Sequence, residues 1–141
     1  MIRFALLGAG RIGQMHAANI AGHERCKLSW IYDVHTPSSE ALCTKTGAKV
    51  ARDPDEIFDD AEVDAVFVAS STPTHADFIV RSVESGKAVL CEKPIDLDIA
   101  KVEECTKKIS GAKTLVQVGF NRRFDPGHGQ VVEAVRNGEI G

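Results

Sequence analysis

Short apolar runs alternate with stretches of helical period from one end of the chain to the other. Ile2 to Leu7 is a compact apolar run that stops at glycine, the pattern of a strand buried on both faces. Arg11 to Ala21 turns helical and is closed by Gly22. Leu28 to Tyr32 predicts a second strand ending on Asp33, Ser38 to Thr46 a helix closed by Gly47, and Ala48 to Ala51 a short third strand. Asp53 and Pro54 open a brief helix, with Asp53 as N-cap and Pro54 at the first helical position, where a missing N–H costs nothing. Ala65 to Ala69 is the fourth buried run. Ala76, Ile79, Val80 and Val83 then share one helix face, and Gly86 ends that helix. Lys87 to Cys91 predicts a fifth strand. Asp96 or Asp98 caps a helix whose buried side carries Ile99, Val102 and Ile109. Thr114 to Val118 is the last strand, and a final helix runs from Pro126 to about Asn137.

Strict alternation of strand and helix implies a parallel sheet covered on both faces, and right-handed crossovers make it doubly wound. No stretch rich in Pro, Gly or Ser divides the chain. The expectation is an α/β, doubly wound parallel sheet of the Rossmann type, occupying residues 1–125.

Composition narrows the function classes. A chain of 141 residues supports one real core. The formal charge of −3 and basic clusters of only two residues, Lys107-Lys108 and Arg122-Arg123, argue against a nucleic-acid partner. No apolar stretch is long enough to span a bilayer, and the run from Phe4 to Leu7 is too short for an export signal. The expected setting is cytoplasmic. The four cysteines, Cys26, Cys43, Cys91 and Cys105, form no C-x-x-C pair, so they read as reduced packing thiols and no metal site is assigned.

The first chemistry lies in Gly8-Ala9-Gly10-Arg11-Ile12-Gly13, which follows a strand and opens a helix. Gly8 permits a tight turn, Gly10 lets a pyrophosphate approach the backbone, and Gly13 lets helix and strand pack closely. The helix N-terminus offers free N–H groups and partial positive charge to phosphate. Asp33, twenty residues after Gly13, ends the next strand, where its carboxylate can accept both adenosine ribose hydroxyls and repel a 2′-phosphate. The expected cofactor is therefore NAD rather than NADP. Lys93, in Cys91-Glu92-Lys93-Pro94, ends a later strand at the same carboxyl edge, where doubly wound sheets bind their ligands. Pro94 biases it toward an extended backbone and leaves a cis bond open. A proton-handling lysine and a solvent-facing lysine paired with Glu92 are the two readings. His16, one turn beyond Gly13, either faces the cleft or packs. Arg122 and Arg123 either reach the nicotinamide or an oxygen-rich substrate, or pair with acids of their own domain. No G-x-S-x-G elbow supports a hydrolase.

Gly8 to Gly13, Glu92-Lys93-Pro94 and Gly119-Phe120-Asn121-Arg122-Arg123-Phe124-Asp125 together resemble the glucose–fructose oxidoreductase, inositol dehydrogenase and MocA family. Gln117-Val118-Gly119-Phe120 and the arginine pair look most like its inositol 2-dehydrogenase branch. The likeness runs along essentially the whole chain but covers only the N-terminal part of the family's architecture, whose second domain binds substrate and mediates oligomerisation; it implies that residues 126–141 begin the connection to that domain. The resemblance implies NAD-dependent hydride exchange with a secondary alcohol of a cyclitol or sugar. It makes Lys93 catalytic and cofactor-binding, with Glu92 beside it. It runs the loop Ser70-Ser71-Thr72-Pro73-Thr74-His75 past the nicotinamide ribose, giving Thr72, Pro73 and His75 cofactor contact, and it places Arg122 at the cofactor. The family's partner aspartate and histidine belong to the second domain and have no counterpart here. The expected partners are a small polyol or sugar and, for a full-length protein, further copies of itself. The different-class alternative is a stand-alone NAD-binding or redox-sensing module without catalysis. Without the second domain, apolar surface is expected along the helix after Pro126.

Overall fold

In the computed structural model, which describes residues 1–141, the predicted alternation is present and every strand pair is parallel. The strands are β1 (Ile2–Leu7), β2 (Cys26–Tyr32), β3 (Lys49–Val50), β4 (Ala65–Val68), β5 (Ala88–Cys91) and β6 (Val116–Val118). The helices are α1 (Arg11–Ala21), α2 (Thr36–Thr46), α3 (Asp55–Phe58), α4 (His75–Glu84), α5 (Ile99–Ile109) and α6 (Pro126–Arg136). The sheet order β3-β2-β1-β4-β5-β6 reverses direction between β1 and β4, which opens a crevice at their carboxyl ends.

The period-2 geometry of each central strand feeds two cores. Ala5 and Leu7 of β1 and Val66 and Val68 of β4 face one side, with Phe78 and Ile79 of α4 and Cys105 of α5. Leu6 and Phe67 face the other, with Ala17 and Ile20 of α1 and Leu42 and Cys43 of α2. Burying an aliphatic side chain as fully as Leu6 or Ile79 is worth roughly 1.5–3 kcal/mol.

Local chemistry sets the ends. Asp53 Oδ1 accepts the Asp55 N–H at 2.8 Å, and Glu56 Oε1 accepts the N–H groups of Arg52 and Asp53 at 2.8 and 3.0 Å. That reciprocal capping box holds α3. Asp98, not Asp96, caps α5, accepting the Ala100 N–H at 2.9 Å. Gly47 takes the left-handed conformation at φ 76° that ends α2, whereas Gly22 ends α1 in a right-handed one.

Several expectations are corrected. Ile99 is 69% exposed, because it stands in the first turn of α5 before the helix reaches the sheet, and Cys105 supplies that helix's buried contact. β2 begins at Cys26, pairing Cys26 and Lys27 with Ile2 and Arg3. α2 begins at Thr36, with Pro37 in its first turn. Lys87 precedes β5 rather than belonging to it. Its side chain is buried, with Nζ donating to Asp60 O at 2.7 Å and Val63 O at 3.3 Å. All four cysteines are free. No helix is long and apolar enough to cross a membrane. Val131, Val132 and Val135 of α6 are about half exposed, as expected for the helix after Pro126.

Candidate functional site

Parallel strands deliver the residues that follow them to one edge, and that edge holds the chemistry. β1 runs into Gly8, whose φ of 106° favours glycine and whose Cβ would lie 2.5 Å from Ala69 O, just beyond β4. A Cβ on Gly13 would lie 1.9 Å from Gly8 O, so α1 starts hard against the loop. Gly10 instead has no neighbour within 4 Å of an added Cβ. The first helical hydrogen bond runs from Gln14 N to Gly10 O, which leaves the N–H groups of Arg11, Ile12 and Gly13 without intrahelical acceptors. An open approach at Gly10 and free donors at a helix N-terminus fit a diphosphate.

Asp33 is half-buried beside this loop. Its Oδ2 accepts the Ala9 N–H at 2.6 Å and its Oδ1 accepts the His35 N–H at 2.8 Å. Each carboxylate oxygen keeps a lone pair for a ribose hydroxyl. Asp33 thus braces the glycine loop, a role its sequence position did not reveal. A cleft of about 410 Å³ runs between the ends of β1 and β4, lined by Gly8, Gly10, Asp33, Ser70, Ser71 and Thr74 among others.

The loop after β4 approaches this cleft differently from expectation. Ser70 Oγ and Thr74 Oγ1 lie 2.7 Å apart, and Thr74 Oγ1 donates to Ser71 O at 2.8 Å. These hydroxyl residues line the cleft. Thr72 sits half-buried in a 3-10 turn (Thr72–Thr74), and Pro73 lines a separate cavity of about 270 Å³ between α4 and α5. His75 is turned inward and is 2% exposed, with Nδ1 2.8 Å from Pro94 O and Nε2 3.0 Å from Ser70 O. Ser70, Ser71 and Thr74 belonged to the same hydroxyl-rich stretch, but sequence does not tell which side of a turn faces a cleft.

β5 is pinned on both sides at its end. Glu92 N donates to Val68 O at 2.9 Å and Gly119 N to Cys91 O at 2.7 Å. Lys93 follows, exposed, and the Lys93–Pro94 peptide is cis. The expected alternative ion pair with Glu92 does not form. The Glu92 carboxylate instead lies 3.0 Å from His16 Nε2 through Oε1, and its Oε2 accepts the Lys93 backbone N–H at 3.3 Å. His16 also stacks on Phe67, ring centroids 4.0 Å apart, so it packs and reaches the site edge at once. The ammonium of Lys93 is left free of carboxylate partners. Burial pushes the neighbouring Cys91 thiol up to about 12, helped by Glu92, so it is no nucleophile. Arg122, on a 3-10 turn (Asn121–Phe124), lies 3.6 Å from Asp125, while most of its side chain is in solvent.

Known proteins share this fold. Residues 2–120 match the family model described as an oxidoreductase family with an NAD-binding Rossmann fold. Inositol 2-dehydrogenase of Rhizobium meliloti is 45% identical over 140 residues, covering 99% of this chain and 42% of that protein. Myo-inositol 2-dehydrogenase of Thermotoga maritima is 38% identical, with the same coverage. Among solved structures, scyllo-inositol dehydrogenase from Lactobacillus casei with bound NAD(H) and scyllo-inositol superposes with a TM-score of 0.91 at 34% identity, covering 100% of this chain and 42% of that one. The chain thus spans about 42% of the length of the curated relatives it matches. Fold, glycine loop and family model agree: the chain belongs to the oxidoreductase family with an NAD-binding Rossmann fold.

Proposed function

We propose that this chain is the cofactor-binding part of an NAD-dependent oxidoreductase that exchanges hydride with a secondary alcohol of a cyclitol or sugar, in the manner of an inositol 2-dehydrogenase. The observation that carries the reading is a free, exposed Lys93 on the same sheet edge as the glycine loop and Asp33. On this reading residues 1–125 are the dinucleotide domain and residues 126–141 begin the connection to a substrate domain.

Arg11, Ile12 and Gly13 offer backbone N–H groups to the diphosphate across Gly8 and Gly10, and Asp33 accepts the adenosine ribose hydroxyls. The loop after β4 walls the nicotinamide side through Ser70, Ser71 and Thr74, Glu92 lies beneath it, and Arg122 closes it. NAD, when bound, supplies the hydride acceptor. In its neutral amine form Lys93 takes the hydroxyl proton at Nζ as the alcohol is oxidised, and as the ammonium it returns that proton in reduction. The aspartate and histidine that complete the site in the family have no place in these residues. This chain by itself therefore binds NADH and turns over little or no polyol.

The test compares the chain with a polypeptide extended by the substrate domain, measuring NADH binding and NAD reduction with myo-inositol, scyllo-inositol and glucose. Lys93→Ala in the extended protein is expected to lower kcat by roughly 10²–10⁴, with a smaller change in NADH affinity. Unchanged turnover would refute the role of Lys93. Saturable NADH binding with no polyol turnover by the extended protein would favour a binding or sensing module.

A further inference from the structure

His75 is 2% exposed, and both ring nitrogens point at backbone carbonyl oxygens, Nδ1 at Pro94 O (2.8 Å) and Nε2 at Ser70 O (3.0 Å). A carbonyl oxygen only accepts. A neutral imidazole has one N–H and would turn the lone pair of its other nitrogen against an oxygen lone pair at contact distance. Only the doubly protonated ring satisfies both neighbours.

Those two carbonyls belong to the two segments that flank the nicotinamide side of the site. Ser70 lines the cleft and leaves β4. Pro94 follows Lys93 across the cis bond. We propose that His75 is a positioning residue: as an imidazolium it clamps the Ser70 loop to the Lys93–Pro94 segment, fixing the cleft wall relative to the proton-handling lysine. The proposal rests on the reading that NAD occupies this cleft.

The charges around the ring are few. From the segment after Pro94, Asp96 offers a carboxylate that is 7% exposed and whose Oδ2 is buried without a hydrogen-bond partner. From α5, Lys101 Nζ stands 4.0 Å from that oxygen. Asp98's N–H, donated to Asp96 Oδ1, chiefly holds this carboxyl below the usual range, with Lys101 adding to it. From its own helix, Asp77 is exposed and lies 3.8 Å from Arg81. β4 brings no charged group to the ring. The amino end of α4, where His75 stands, opposes a positive charge, while the two carbonyls favour it at hydrogen-bond distance. Asp96, whose Oδ2 has Lys101 at 4.0 Å and no hydrogen-bond partner, is the carboxylate that this segment brings toward the ring.

Two measurements on this chain test the proposal. Long-range nitrogen-15 spectra of the histidine rings, assigned with His75→Gln, are expected to show both His75 nitrogens protonated near neutral pH. A neutral tautomer there overturns the clamp. NADH titrations across about pH 6 to pH 9, the range in which histidine charge is usually gained or lost, are then compared for wild type and His75→Gln. A glutamine amide holds one carbonyl but not both, so the variant is expected to bind NADH about tenfold more weakly and with a flatter pH profile. Wild-type affinity and profile in a folded His75→Gln overturn the positioning role. A variant that fails to fold leaves the decision to the ring spectra and the wild-type profile, where a flat profile overturns the role. If wild type binds no NADH although both nitrogens are protonated, the cleft assignment fails and the positioning role falls with it, while the protonated ring stands.

Discussion

Gly10 and Gly13 are both loop glycines, yet replacing them by alanine should break different things. At Gly13 a Cβ would lie 1.9 Å from Gly8 O and 2.8 Å from Gly8 C, both backbone atoms, so α1 or the loop must withdraw by roughly 1 Å. Overpacking of that kind costs about 1–3 kcal/mol, which in a domain of this size lowers Tm by about 3–10 °C. Gly10 has φ −68° and ψ −171°, an extended conformation open to any residue, and its Cβ would meet nothing within 4 Å. Alanine there loses roughly 0.5–1 kcal/mol of capping, which the lower entropy of the unfolded chain largely offsets. Its methyl group, however, would stand in the space a phosphate must enter, and a loss of about 1.4 kcal/mol in binding is tenfold in affinity. Urea unfolding followed by Trp30, the single tryptophan, and calorimetric NADH titration separate the two effects. Gly13→Ala is expected to lose stability, and Gly10→Ala is expected to lose at least tenfold in NADH affinity at nearly unchanged stability. A stable Gly13→Ala, or a Gly10→Ala that binds like wild type, would refute the reasoning.

Asp33→Ala should weaken NADH about tenfold and narrow the gap to NADPH; a parallel loss for both dinucleotides would mean that Asp33 acts only through its bond to Ala9 N. The Cys91 thiol, pushed up to about 12 by burial, should resist iodoacetamide at about pH 8 in the folded chain while half-buried Cys26 reacts, and equal labelling rates would contradict the burial argument. Asp60 is held below the usual aspartate range first by its hydrogen bond from Trp30 Nε1 (2.7 Å), then by the Glu62 N–H. Its folded value lies below the unfolded one near 3.9, so its contribution is present above about pH 4 and disappears as the pH falls through the folded value. Asp60→Asn should make acid unfolding, read by Trp30 fluorescence, less steep; an unchanged slope would show that the pair does not carry that linkage.

Apolar runs located all six strands, because burial on both faces leaves a signal within each short segment. The glycine loop, Asp33 and Lys93 were legible for a related reason: parallel strands send every following residue to one edge. What stayed hidden depends on partners far along the chain. The inward turn of His75 needs Pro94 O, nineteen residues away, and the burial of Lys87 needs the carbonyls of Asp60 and Val63. Ile99 looked like a core position because periodicity cannot tell where along a helix contact with the sheet begins. Glu92 looked like a partner for Lys93 because they are adjacent, yet across the fold His16 reaches its carboxylate instead.

The most direct test of the cofactor edge is backbone amide shift mapping of this chain during NADH titration. The expected result is saturable change concentrated at Gly8, Gly10, Gly13, Asp33, Ser70, Ser71, Glu92 and Lys93, with Arg3, Asp64 and Lys87 at the opposite edge unmoved. Saturable change centred on that opposite edge, or none at Lys93 while the glycine loop responds, would contradict the placement of a proton-handling lysine beside the nicotinamide.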